Sequence, residues 1–156
     1  MHPDFKAYAE ALHPKFEALI AMAPVSGGNL PKIMPARGVY LFSEGNDHLY
    51  VGRTNRLRQR YGDHCRPSSD HNSAPFAFKL ARIETGFIEK SYKAGATSRK
   101  GLSLNEIFIA AFTGAKARVR AMDFRFVEEV DPTAQCLLEI YCTVALRTRH
   151  NDLENS

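Results

Sequence analysis

The sequence predicts a small α+β domain in which a three-stranded β-sheet is flanked by helices. Three features carry that expectation. Apolar residues recur at helical spacing near the N-terminus, two β-prone runs straddle turn-forming residues in the middle, and an alternating stretch precedes a capped apolar helix near the C-terminus. Residues 3–23 place Phe5, Tyr8, Leu12, Phe16, Leu19 and Ile20 on one amphipathic helix, with Pro14 a point of kinking or breakage. The prolines and glycines of PVSGGNLPKIMPARG then make a connector. GVYLF and HLYV, joined through SEGND, read as a β-hairpin, and Thr54 or Asn55 is placed to cap a helix running to about Cys65.

Beyond that helix, RPSSDHNS is a loop, and Pro75 opens a helix carrying Phe76, Phe78 and Leu80. Gly, Ser, Lys and Thr between Glu84 and Lys100 suggest a mobile basic loop. Ser103 and Glu106 have the spacing of a capping box ahead of IFIAAF. Arg118 to Val130 alternates and is expected as a strand, and Asp131-Pro132 opens a helix to about Arg147. The expected organisation is a single domain: a helix and connector over 1–36, then a core over 37–151 with an insert at about 66–118.

Composition excludes several classes. With 44% hydrophobic and 24% charged residues in 156, the chain is ordinary globular material with enough length for a core. Its longest apolar stretch, residues 18–25, is far short of the ~18 residues of a membrane span. The N-terminus, MHPDFKAYAE, lacks the pattern of a secretory signal, so a cytoplasmic location is expected. Cys65, Cys136 and Cys142 have no CxxC spacing and are expected as reduced thiols. Charge is uneven: residues 50–100 carry eleven Lys and Arg against four acids, a net of +7, whereas the rest of the chain is −3. A basic middle of this kind suits an anionic partner, most simply nucleic acid.

The hairpin and the helix after it are the most specific part. Gly38-Val39-Tyr40, then Tyr50-Val51-Gly52, Arg53-Thr54, Arg60 and His64, with Glu139 and Asn151 far downstream, resemble the GIY-YIG nuclease family. The resemblance covers residues 37 to 151 in order, apart from 66–118. It implies a metal-dependent endonuclease that hydrolyses nucleic-acid phosphodiesters, with DNA rather than RNA the expected substrate and Mg²⁺ or Mn²⁺ the cofactor. Arg53 stands where that family usually has lysine.

The residue types suit that chemistry independently. Phosphodiester hydrolysis needs a deprotonated water, charge stabilisation on the phosphate, and relief of the leaving oxygen. Tyr40 and Tyr50 can share a sheet face, and a phenol beside cations can take a proton from water. Tyr40 is favoured as base and Tyr50 as its orienting partner. Arg60 offers a fork for phosphate oxygens, and Arg53 stands at the start of the same helix. His64, one helical turn from Arg60, either bonds a phosphate oxygen or relays a proton. Arg56, like Arg58, is expected in solvent or on the nucleic-acid backbone. Glu139 lies within apolar CLLEIYCTVAL, an expensive setting for a carboxylate without a partner, and is the expected metal ligand. Glu106 is a rival carboxylate that the capping box already explains. Asn151 either bonds phosphate or fixes the orientation of a tyrosine or Glu139. A non-catalytic nucleic-acid-binding module of the same fold is the alternative function, and a third is an interaction domain using the N-terminal helix.

Overall fold

The computed structural model describes residues 1–87, 98–102 and 105–153. Its elements run α1 (Pro3–Ala21), β1 (Gly38–Glu44), β2 (Asp47–Thr54), α2 (Leu57–Cys65), α3 (Pro75–Thr85), α4 (Arg99–Leu102), α5 (Glu106–Ala121), β3 (Asp123–Glu128) and α6 (Pro132–Leu146). The fold is α+β, a three-stranded antiparallel sheet with helices around it. The chain divides into two compact units, one of Met1–Arg60 with Met122–Ser156 and one of Tyr61–Ala121.

In the first unit the sheet order is β2-β1-β3, so β1 is central and buried along six of its seven residues. Alternation along the strands sorts side chains to two faces. Val39, Leu41 and Val51 form a core with Leu12 and Leu19 of α1 and Leu138 and Cys142 of α6, flanked by Phe16, Val127 and Tyr141. Tyr40, Phe42 and Phe124 are buried on the other face, with ring centroids 5.0–5.8 Å apart. α1 continues unbroken through Pro14 and starts at Pro3, where the missing N–H costs nothing. α6 begins as its sequence requires, the Asp131 side chain accepting from Ala134 N at 2.8 Å.

Both outer edges of the sheet are partly covered, which shortens the exposed strand edge available as a template for aggregation. Beyond β3, the connector residue Val25 exchanges backbone hydrogen bonds of 2.8 and 3.0 Å with Phe124. Beyond β2, the chain leaving α6 runs alongside: Arg149 N donates to His48 O and His150 N to Leu49 O. α6 stops at Arg147, whose left-handed φ of 49° turns the chain back toward the sheet.

The second unit is helical. α3 and α5 pack through Phe78, Phe108 and Phe112, with Phe78 edge-on to Phe108 at 4.9 Å. Lys116 is almost wholly buried here; its ammonium donates to Pro67 O and Ser69 O at 2.6 and 2.7 Å and sits 4.5 Å over the Phe112 ring. Desolvation pulls its pKa below the usual lysine value, and the two carbonyls hold the loop ahead of α3 in place.

Several sequence expectations are corrected. The strand expected from Arg118 begins only at Asp123, because Ala115, Lys116, Val119 and Met122 are buried at helical spacing and α5 absorbs the first positions. The cap of α5 is Asn105, whose Oδ1 accepts from Phe108 N at 3.1 Å; Ser103 of the expected capping box lies outside the described residues. Thr54 Oγ1 accepts from Arg56 N, one residue ahead of α2, while Asn55 accepts from Gln135. Of the basic loop expected over 84–100, Glu84 and Thr85 finish α3 and Arg99 starts α4, whereas residues 88–97 lie outside the described residues.

Two glycines permit the sheet's closest approaches. A Cβ on Gly38 would stand 2.0 Å from Val127 O, and one on Gly52 would stand 2.2 Å from Tyr40 Oη. Tyr40 and Gly52 are cross-strand partners, so the phenol ring lies over bare backbone. Gly52→Ala is therefore expected to lower unfolding free energy by about 1–3 kcal/mol, the usual scale of overpacking, as measured by denaturant unfolding. Wild-type stability of that variant would contradict the packing described.

Candidate active site

The two tyrosines meet through strand register. Tyr40 lies opposite Gly52 and Phe42 opposite Tyr50, so the phenols are diagonal neighbours on one face, their ring centroids 6.5 Å apart. Arg60, on the first unit's part of α2, reaches the same face, where its Nε donates to Tyr40 Oη at 3.4 Å. α2 is set in place partly by Leu57 N, which donates to Ala36 O at 2.8 Å and satisfies one N–H of its first turn.

Electrostatics separates the two phenols. Tyr40 is 2% exposed, and burial is the main reason its pKa is pushed well above 10; charge on Tyr50 raises it further, and Arg60 opposes the rise. Tyr50 is only partly buried; burial lifts its pKa as well, the Arg60 charge and hydrogen bond lower it, and Glu139 raises it. Both phenols are neutral at pH 7 in the protein alone, and Arg60 is the cation nearest to favouring either phenolate.

Glu139 projects from α6 and is joined to Arg53 of β2, whose Nε donates to Oε2 at 2.9 Å. The carboxylate is 30% exposed, and its desolvation raises the pKa against the lowering effect of Arg53. The same surroundings push the buried Cys142 thiol, one turn along α6, up to about 12, with burial the larger cause and the Glu139 charge the smaller. Among the described residues no cluster of three or more His, Cys, Asp and Glu forms a ready-made metal cage. Mg²⁺ is commonly held by one or two carboxylates, several waters and substrate phosphates. A single poorly solvated carboxylate whose Oε1 has no hydrogen-bond partner among the described residues fits that pattern.

Asn151 is turned toward β2. Its Oδ1 accepts from Val51 N at 2.7 Å and its Nδ2 donates to Val51 O at 2.8 Å, so the side-chain amide pairs with the strand as another peptide would. Thr148, also largely buried, donates to the same Oδ1 at 2.8 Å. The bond falls between Tyr50 and Gly52 and fixes the backbone that carries both. Thr148 was not visible as a site residue, since nothing in its spacing distinguishes it from other threonines in a helix-terminal turn.

The first unit thus brings together Tyr40, Tyr50, Arg60 and the Arg53–Glu139 pair, with Asn151 behind Val51. Arg56 is exposed, its Nη1 bonded to Gln59 Oε1 at 3.0 Å. His64 follows Arg60 by one turn of α2 but belongs to the second unit and is 0% exposed. Glu106 is exposed at the start of α5. No helix among the described residues is long and apolar enough to cross a membrane.

The three-stranded antiparallel sheet flanked by helices is the fold expected of the family that a comparison finds. The model of the GIY-YIG catalytic domain matches residues 36–148, and the chain belongs to that family. The family implies nuclease-type activity on a nucleic-acid substrate. No curated protein and no solved structure matches the chain.

Asn151→Ala would leave the Val51 N–H and C=O without their partner. It is expected to cost about 1–3 kcal/mol of stability, read from the urea midpoint. An unchanged midpoint would mean that water replaces the amide at no cost.

Proposed function

We propose that the protein is a divalent-metal-dependent endonuclease that hydrolyses DNA phosphodiester bonds through a one-metal mechanism. The observation that carries this reading is the convergence of two phenols, the Arg60 guanidinium and the Glu139 carboxylate in one unit of a GIY-YIG domain. Glu139 would hold Mg²⁺ or Mn²⁺, which when bound supplies Lewis-acid charge neutralisation at the scissile phosphate.

The chain's own residues do the remaining work. Arg60 binds a phosphate oxygen and neutralises charge that develops in the transition state. Arg53 balances Glu139 in the resting protein and is positioned to share the charge of an incoming phosphate. Of the two tyrosines, we assign the proton-accepting role to Tyr50, the reverse of the order favoured on sequence. Tyr50 is the more exposed, and Tyr40 is harder to ionise once its neighbour carries charge. Tyr40 stays protonated and orients Arg60 and the attacking water. Asn151 acts as a positioning residue through Val51, and Arg56 contributes a contact to the nucleic-acid backbone. His64, wholly buried, is assigned no step.

A cleavage panel tests the activity: supercoiled plasmid, linear duplex, single strands, a branched junction and RNA, each with Mg²⁺, Mn²⁺ or EDTA. Cutting of DNA that needs metal and disappears in Glu139→Ala, with salt-sensitive binding retained, is the expected result. Binding without cutting by the wild type under every metal would favour the non-catalytic module instead.

The pH profile tests the tyrosine assignment. Because the Tyr50 pKa lies above 10, its phenolate fraction grows about tenfold per pH unit below that value. Single-turnover rates should therefore climb with pH from 7 to 9. Tyr50→Phe should lose about 10²–10⁴ in rate and flatten the profile, whereas Tyr40→Phe should slow cleavage and keep the slope. The opposite pattern would return the base to Tyr40.

A further inference from the structure

The connector between α1 and β1 presents an unusual tip. Ile33 is 92% exposed, the most exposed large apolar side chain among the described residues. It sits in Pro31-Lys32-Ile33-Met34-Pro35, where two prolines fix the backbone φ on either side. The loop is also tied down. Arg58 of α2 donates through its guanidinium to Pro31 O and, at 3.2 Å, to Lys32 O, and Ala36 O accepts from Leu57 N at 2.8 Å. The helix that anchors the loop is the one that carries Arg60, two residues beyond Arg58.

Exposed cations stand in the loop and in the segment that anchors it. Residues 31–37 and 53–60 contain Lys32, Arg37, Arg53, Arg56, Arg58 and Arg60 and no acidic residue. A lone exposed isoleucine is commonplace on a protein surface. One held at the tip of a proline-flanked loop, with the exposed side chains of Lys32 and Arg37 in the same loop, is better suited to a polyanion with an apolar interior. Protein interfaces of ordinary size bury about 800 Å² per partner and deplete Lys at their centre, which this small basic tip does not match.

We propose that loop 31–37 is a wedge that reads distortion in a DNA duplex. Ile33 enters a weakly stacked base step while Lys32, Arg37 and Arg56 hold the flanking phosphates. Inserting an apolar side chain requires unstacking, which costs least at a mismatch or nick, so the wedge favours such sites over perfect duplex. The proposal deepens the nuclease reading and rests on it.

The experiment uses the full chain carrying Glu139→Gln, which keeps DNA intact during titration, with and without Ile33→Ala. Anisotropy titrations compare a 30-base-pair duplex with the same duplex bearing one central mismatch. 2-Aminopurine next to the mismatch reports unstacking through its fluorescence. We expect Ile33 to favour the mismatched duplex by ~10-fold and to raise the 2-aminopurine signal, and Ile33→Ala to lose both while binding perfect duplex within about twofold. Lys32→Gln should weaken both duplexes alike and lower the salt slope by about one.

A mismatch preference and fluorescence rise that survive Ile33→Ala would overturn the wedge, as would the absence of any preference in the parent. Ile33→Ala in an otherwise wild-type chain separates the two readings. Metal-dependent cutting of perfect duplex that continues while mismatch preference was never present removes the wedge and leaves the nuclease. No binding and no cutting of any DNA by the wild type removes both.

Discussion

The site depends on one close approach, the ring of Tyr40 lying over the backbone of Gly52. A Cβ at residue 52 would meet Tyr40 Oη at 2.2 Å, so the absence of a side chain there is what lets the phenol lie flat across the β1–β2 pair. From that position the ring reaches Arg60 and stands diagonal to Tyr50. The same burial that locates the hydroxyl also keeps it protonated. Position and acidity are thus set together by one packing event, and the more exposed Tyr50 is left as the phenol easier to ionise.

Two kinds of support hold this arrangement. The first is apolar: Val39, Leu41 and Val51 bury one sheet face against α1 and α6, each such side chain being worth roughly 1.5–3 kcal/mol of transfer free energy. The second is polar and local. Asn151 completes the outer edge of β2 at Val51, with Thr148 bonded to its oxygen, so the strand that carries Tyr50 and Gly52 has hydrogen-bonded partners on both sides. The left-handed turn at Arg147 directs the chain from α6 back along the sheet and makes that pairing possible.

Glu139 and Arg53 show how a charge is tolerated in a helix that otherwise contributes to the core. The carboxylate is partly desolvated, which alone would favour its neutral form, and the guanidinium at 2.9 Å offsets this. The net direction is still upward, so the group is poorly served by water and only partly compensated by its partner. Such a group gains more from an added cation than one in bulk solvent does. The pairing also links β2 to α6 through the arginine that follows the second glycine triplet.

Much of this was legible without coordinates. The two glycine–tyrosine triplets and Arg60 announced the hairpin and the helix after it, because turn residues, β-prone runs and helical spacing act over a few neighbours. Where such local rules competed, they misled. Arg118–Ala121 alternates in sequence yet continues α5, since burial of Ala115, Lys116 and Val119 follows a helical repeat that only packing imposes. Lys116 gave no sign that its ammonium would be buried against Pro67 O and Ser69 O, nearly fifty residues earlier in the chain.

By itself, then, the amino-acid order determined the class of fold and the family to which the domain belongs, and it named the residues of a candidate site. Tertiary structure decided which atoms meet and in what state. It placed Asn151 on the Val51 backbone, paired Glu139 with Arg53, buried His64, and made Tyr40 the less ionisable phenol. The physical reason is separation along the chain. Spacing reports periodicity within one element, whereas desolvation and hydrogen bonding depend on groups brought from as far as 128 residues away, and only the packed chain sets those distances.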